Sequence, residues 1–289
     1  MANKKAIVWG AFGQDGSFMS ELLIGRGYDV SHMVKEFHLS TYDAIASANP
    51  DEIYNFAGIS NVINPFENLQ EQFEITAGLP VRILEAIVKA NKKIKFFQAS
   101  SSLIFGRDES GLQNELTPFS PKYHYGSCKL YAHNMVNEFR ETYGLFACSG
   151  IFFNHESERR KEHFFSRKIC KAAAWKQKVT VGNLDSLRDF GYAKDYMEAA
   201  YLMMQAKEPK DYVIGTGKLI SMRDFAKKAF EYAGLDYRDY VIEDESAKRK
   251  NDTQILCAVP SRIKLDLGWE AKTSIDEMIK IIIDNDRLV

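Results

Sequence analysis

The 289-residue sequence predicts an α/β fold: a doubly wound parallel sheet with a smaller C-terminal α/β lobe. Three observations carry this expectation. Short apolar runs alternate with helical-period segments as far as about residue 154. The first of those runs ends in a turn with glycines at 10, 13 and 16. Beyond about residue 154 the alternation loosens, while helical segments continue.

Taken in order, "KKAIVWG" is an apolar run ending in glycine, a buried strand feeding a turn. "SFMSELLIGRGYDV" has apolar residues at helical spacing, is stopped by Gly25 and Gly27, and closes on a second short strand, "YDV". "STYDAIASANPDEIYNFAG" reads as a helix capped by Ser40 with Asp43 three residues on, a turn at Asn49-Pro50, and a strand. Residues 67–91 form one long amphipathic helix, followed by the strand "IKFFQAS". "YGSCKLYAHNMVNEFRETYG" is a helix closed by Gly144, and "FACSGIFFN" a strand. Later helices are expected near 163–176, 192–206, 221–234 and 274–286, the last two opened by the capping patterns "SMRD" and "SIDE". The expected division is 1–154 for the first domain, with later segments returning elements to its sheet, and 155–289 for the second lobe.

Composition narrows the function. At 45% hydrophobic and 27% charged residues, the chain has the balance of a soluble globular protein. A net charge of −1 supplies no global field for nucleic acid or an anionic membrane. Cysteines stand at 128, 148, 170 and 257, without CxxC spacing, so neither a metal site nor a redox pair is expected. Buried thiols of a cytoplasmic protein are the expectation. The N-terminus lacks a signal-peptide pattern, and no apolar run approaches a membrane span.

"GAFGQDG" sits between the first strand and the first helix. Glycines there allow a tight turn and let backbone N–H groups approach a pyrophosphate at the helix N-terminus, the signature of a Rossmann-type dinucleotide fold. Gly10, Gly13, Gln14, Asp15, Gly16 and Ala57 are the expected cofactor contacts. The ribose-reading residue usual at the end of the second strand is missing. "DVSHMVKEFHLS" carries no arginine, and its one acid after the strand is Glu36. The chain skips a helix of the usual series there, and His32 and His38 are weaker candidates for cofactor contact.

"PKYHYGSCKLYAH" places Tyr125 and Lys129 one helical turn apart on one face. A nearby ammonium favours the phenolate and lowers the tyrosine pKa. Such a tyrosine exchanges a proton with a hydroxyl or carbonyl while hydride moves to or from nicotinamide. Ser101, in the serine-rich strand end "QASSSLIFG", completes the expected catalytic set, and Lys129 also serves the cofactor.

These motifs together resemble the extended short-chain dehydrogenase/reductases and, within them, the GDP-mannose 4,6-dehydratases, over nearly the whole length. The resemblance is carried by "GAFGQDGSFMSELL", "PDEIYNFAGISNV", "NHESERRKEHFFSRKI" and "GNLDSLRDFGYAKDY", with "RKNDTQ" a looser match. It implies NAD or NADP as cofactor, with NAD favoured, and a GDP-sugar held by the second lobe. It also implies that Ser102, Asn154, Glu156, Arg167 or Lys168, Asn183, Arg188 and the Arg249…Asp252 pair contact that sugar nucleotide. Guanidinium forks suit a diphosphate, and asparagine suits ribose or base edges.

Two departures shape the expectation. In the resembled family "QASSSLIFG" reads Gln-Ala-Ser-Thr-Ser-Glu-Leu-Tyr-Gly, so Ser101 replaces a threonine and Leu103 a glutamate. That glutamate takes the C5 proton and assists departure of the C6 hydroxyl, and leucine can do neither. The second departure is the shortened stretch after the second strand, where the family's arginine-rich loop reads the NADP phosphate and meets a neighbouring subunit. Here an aspartate before leucine becomes His38-Leu39. A homodimer built on the helices near 67–91 and 123–143 is expected instead of a tetramer. The leading reading is C4 redox chemistry on a GDP-mannose-like hexose or heptose without dehydration: a reductase, dehydrogenase or epimerase. The alternatives are a 4,6-dehydratase with a displaced acid/base and a non-catalytic GDP-sugar binder.

Overall fold

The computed structural model describes residues 3–33, 40–60, 68–106, 111–247 and 255–288. Glu36, His38, Leu39, Arg249 and Asp252 lie outside them. The first half runs β1 (Lys5–Trp9), α1 (Gln14–Gly25), β2 (Asp29–Met33), α2 (Thr41–Ala48), β3 (Glu52–Asn55), α3 (Leu69–Phe73), α4 (Leu79–Ala90), β4 (Lys95–Ser101), β5 (Leu112–Gln113), α5 (His124–Tyr143) and β6 (Ala147–Phe152). The second half adds β7 (Asn154–Glu156), α6 (Phe165–Trp175), β8 (Val179–Val181), β9 (Leu187–Tyr192), α7 (Ala193–Gln205), β10 (Tyr212–Ile214), β11 (Leu219–Ser221), α8 (Met222–Tyr232), β12 (Val241–Glu243), β13 (Ile255–Ala258), α9 (Ser261–Leu267) and α10 (Ile275–Leu288).

The main sheet is parallel throughout, in the order β10-β6-β4-β3-β1-β2. Side chains of β1 alternate between its faces. Ala6 and Val8 join the core formed with α1 and α7, whereas Ile7 and Trp9 join the core formed with α2, α4 and α5. A strand buried on both sides needs a continuous apolar run, which "AIVW" supplies. The smaller lobe has its own sheet, β11-β9-β13-β5 with β7 on β9, and a parallel pair of β8 and β12. β10 returns to the edge of the main sheet beside β6.

The three expected caps are formed. Asp43 N donates to Ser40 Oγ (3.1 Å), Asp224 N to Ser221 Oγ (2.9 Å) and Glu277 N to Ser274 Oγ (3.2 Å). The long helix expected over 67–91 is instead interrupted by a π-turn at Glu74–Gly78 between α3 and α4. Pro80 has no N–H to offer Thr76, and a widened turn carries the hydrogen-bond ladder past it. All four cysteines are free and buried. No helix among the described residues is long and apolar enough to cross a membrane.

Candidate functional site

Strand order reverses direction at β1, which connects onward to β2 on one side while β3 and β4 lie on the other. Ligands of open α/β sheets bind at such switch points, beyond the C-terminal strand ends. A cavity of about 390 Å³ occupies that place, lined by Trp9, Gly10 and Gly13 from the first turn and by Ala57, Gly58 and Ile59 beyond β3. Met33, Ala44, Ile75 and Leu79 give it apolar walls, and Arg82 is its cation. Gly10 has φ +76°, and a side chain there would sit 2.8 Å from Ala57 N. Gly13 N closes the turn on Gly10 O (3.0 Å), and no side chain caps the start of α1. An uncapped helix start beside an apolar, adenine-sized hollow fits a dinucleotide. His32 meets Phe12 edge-on, with ring centroids 6.1 Å apart.

A buried amide chain links this cavity to the catalytic candidates. Ala57 N donates to Asn55 Oδ1 (3.1 Å), Asn55 Nδ2 to Gln98 Oε1 (2.8 Å), and Gln98 Nε2 to Ala99 O (2.8 Å). The same Ala99 carbonyl receives Lys129 Nζ (2.7 Å). Neither Asn55 nor Gln98 was anticipated, although a lone amide at the end of each apolar run, "EIYN" and "KFFQAS", was its visible trace.

Tyr125 lies in the first turn of α5, half-buried, with the Lys129 ammonium 5.7 Å from its ring centroid. The expected lowering of its pKa is not what this site does. Burial raises the phenol pKa well above its ordinary value, opposed by the Arg160 charge and by a hydrogen bond with Ser101. Tyr125 thus holds its proton in the free protein and is set as a donor. Lys129 goes the other way: burial lowers its pKa to about 8, against the attraction of Asp15. Lys129 is therefore expected to lose its proton as pH rises through about 8, followed by the carbon resonance of its Cε. A midpoint at the ordinary lysine value of about 10.4 would mean that this side chain is hydrated, not buried.

Ser101 ends β4, and Leu103 N donates to its Oγ (3.3 Å). Ser102 and Leu103 continue into a short 3-10 turn, with Ser102 buried and Leu103 half-buried. Gly126 beside Tyr125 admits this turn, because a Cβ there would meet Leu103 O at 2.7 Å.

The second-lobe candidates divide. Asn154 and Arg188 occupy neighbouring strands, with Asn154 opposite Phe190 in the β7–β9 ladder. Asn183 lies in the loop between β8 and β9, its Oδ1 accepting from Asp185 N (2.9 Å). Asp189, not anticipated, fixes this strand by accepting from Thr216 N, Gly217 N and Ala258 N. Glu156 and Arg167, expected at the substrate, are engaged elsewhere. Glu156 is buried, accepts from Ser166 Oγ (2.5 Å) and lies 3.2 Å from Arg160 Nε. Arg167 forms a two-pronged buried pair with Asp286 of α10, and its Nε donates to Glu158 O. A guanidinium so bound has no fork left for a diphosphate. Lys168 is exposed, with Nζ on Thr180 O (2.8 Å). The side chains of Gln14 and Asp15, expected at the cofactor, turn to His155 and Ser157.

Comparison with known proteins places this geometry. The family described as GDP-mannose 4,6 dehydratase matches residues 38–282. The chain is 34% identical to GDP-mannose 4,6 dehydratase 2 of Arabidopsis thaliana over 324 residues, covering 98% of this chain and 87% of the relative. Among solved structures it is similar to UDP-glucose 4-epimerase of Thermotoga maritima (TM-score 0.91, 20% identity, 98% and 99% of the two chains). It is likewise similar to UDP-glucose 4-epimerase of Thermus thermophilus in complex with NAD (TM-score 0.88, 21% identity, 98% and 99%). Those structures share the Rossmann-type fold, and the sequence match over most of the chain goes further: this protein belongs to the GDP-mannose 4,6-dehydratase family.

Proposed function

We propose that this chain is a nucleotide-sugar oxidoreductase that takes a GDP-mannose-like hexose or heptose and moves hydride at C4 without eliminating water. The observation that carries the reading is Leu103, an apolar residue in the turn directly after Ser101, whose carbonyl lies against Gly126, the residue after Tyr125. Gly10, Gly13, the backbone of Gln14–Gly16, Ala57 and Lys129 would hold a nicotinamide dinucleotide, NAD or NADP. Bound there, it supplies the hydride acceptor or donor. Tyr125 gives or takes the proton of the C4 oxygen, Ser101 hydrogen-bonds that oxygen, and Lys129 holds positive charge beside the tyrosine. Asn154, Asn183 and Arg188, on or beside the β7–β9 ladder, are the proposed contacts of the sugar nucleotide, with residues 1–154 and 155–289 as the two functional lobes. The cavity at the cofactor turn and the Tyr125/Lys129 pair speak against a binder without catalysis. A homodimer through α3, α4 and α5 belongs to this reading, with the exposed aromatic pair Phe73 of α3 and Tyr131 of α5 on that surface.

A second reading, true 4,6-dehydration, is favoured by the names of the relatives, such as that of Arabidopsis thaliana. It requires another base for the C5 proton. One carboxylate whose charge reaches Tyr125 and Lys129 is Asp15, and both of its oxygens face His155. Incubation with GDP-mannose in heavy water separates the two readings. The expected result is neither a 4-keto-6-deoxy product nor deuterium at C5, with Leu103→Glu gaining some exchange. Rapid dehydration by the wild type would establish the second reading.

A further inference from the structure

His155 lies in β7 and Ser157 directly follows it, and 140 positions before His155 the residues Gln14 and Asp15 open α1. His155 Nε2 lies 3.0 and 3.1 Å from the two oxygens of Asp15, while Nδ1 lies 2.7 Å from Phe153 O. Both ring nitrogens therefore face acceptors. A neutral imidazole has one N–H, and its other nitrogen would set a lone pair against an oxygen. The pose suits an imidazolium, whose pKa is raised, against the cost of burial, by the Asp15 carboxylate, and the ring is stacked on Tyr196 of α7 with centroids 5.0 Å apart. Beside it, Gln14 Nε2 donates to His155 O (3.1 Å) and Gln14 Oε1 accepts from Ser157 Oγ (2.8 Å). Two residues at the start of α1 thus grip His155 and Ser157 of the segment that leads from Asn154 into α6.

We infer that Asp15 and His155 are positioning residues that couple the dinucleotide turn to the sugar-nucleotide segment, so that filling one site tightens the other. The inference rests on the two ligand sites proposed above. Ordering the start of α1 by one ligand fixes the segment that the other must find in place, and such coupling is reciprocal.

The pair also sets charge near the chemistry. Groups facing His155 are Asp15 of α1, Arg160 of its own segment and Tyr196 of α7. Asp15 in turn raises the proton affinity of Tyr125 and Lys129 on α5. Removing the imidazolium leaves Asp15 uncompensated and raises the Lys129 pKa, whereas removing the carboxylate lowers it. Scaffolding alone would not give opposite signs.

Titration calorimetry with GDP, on the intact protein, alone and with saturating NAD or NADP, tests the coupling. The dinucleotide should tighten GDP on the order of tenfold, and Asp15→Asn and His155→Gln should each reduce that gain to near nothing. The Lys129 Cε resonance should then titrate higher in His155→Gln and lower in Asp15→Asn than in the wild type. Should either variant fail to fold, the wild type still decides. His155 has a raised pKa, so the pair is whole at and below its ordinary pKa of 6.5, and coupling should fade as pH rises through its folded value. Asp15, lowered to about 2, releases the pair only in strong acid. Equal GDP affinity with and without dinucleotide, or a Lys129 shift of the same sign in both variants, overturns the inference while leaving the proposed function intact. Failure of the wild type to bind either dinucleotide removes both.

Discussion

Turnover by a Tyr125→Phe variant should fall by about 10²–10⁴ while GDP binds as before. In the proposed reaction the phenol is the group that moves a proton at the substrate oxygen. It sits at the start of α5 with Ser101 as hydrogen-bond partner and Lys129 beside its ring. Phenylalanine keeps the ring and the packing but removes the acid. The loss should therefore appear in kcat and not in calorimetric GDP affinity, with hydride transfer followed through the absorbance of reduced nicotinamide. Tyr123→Phe is the matched control, since Tyr123 stands at the N-cap position of α5 without a side-chain cap hydrogen bond and has Ser127, not a lysine, one turn on. A Tyr125→Phe enzyme with near-wild-type kcat would remove Tyr125 from the chemistry.

The second large effect falls on stability. Arg167→Met should cost about 3–5 kcal/mol, because it strands the Asp286 carboxylate in the interior between α6 and α10. Both partners are almost enclosed, at 7% and 5% exposure. Arg167→Met combined with Asp286→Leu should recover much of that loss, since an apolar pair of similar size avoids the buried charge. Denaturant unfolding of the two variants measures the difference. GDP affinity in the double variant should match wild type. A large drop in affinity there, with stability retained, would return Arg167 to the ligand.

Which parts were legible in the sequence follows from the range of the interactions. "AIVWGAFGQDG" and the serine caps are local: a strand buried on both faces, a glycine at positive φ and an N-cap need only neighbours within a few positions. Tyr125 and Lys129 were readable for the same reason, being one helical turn apart. The direction of the Tyr125 pKa was not, because enclosure by the rest of the fold outweighs the adjacent lysine. The buried partners of Arg167 and Glu156 were not legible, since Asp286 lies 119 residues away on the last helix and Ser166 and Arg160 close over Glu156 only in the fold. The second sheet was invisible as a sheet. Its strands β5, β7 and β11 span only two or three residues, too few for a period to register, and distant chain segments supply their ladders.

The return of β10 to the main sheet bears on how the protein emerges during synthesis. β6 ends at Phe152, but the strand that covers its outer edge ends only at Ile214. At about 5–20 residues per second, a ribosome takes roughly 3–12 s to make that stretch. Throughout this interval "ACSGIF", a strand without a charge, offers open hydrogen-bonding groups to any neighbouring nascent chain. The helix that shields the sheet face, α7, is made in the same interval, just before β10. The N-terminal half therefore cannot complete itself in order of translation, and fragments ending before β10 should need a holding chaperone to stay dispersed.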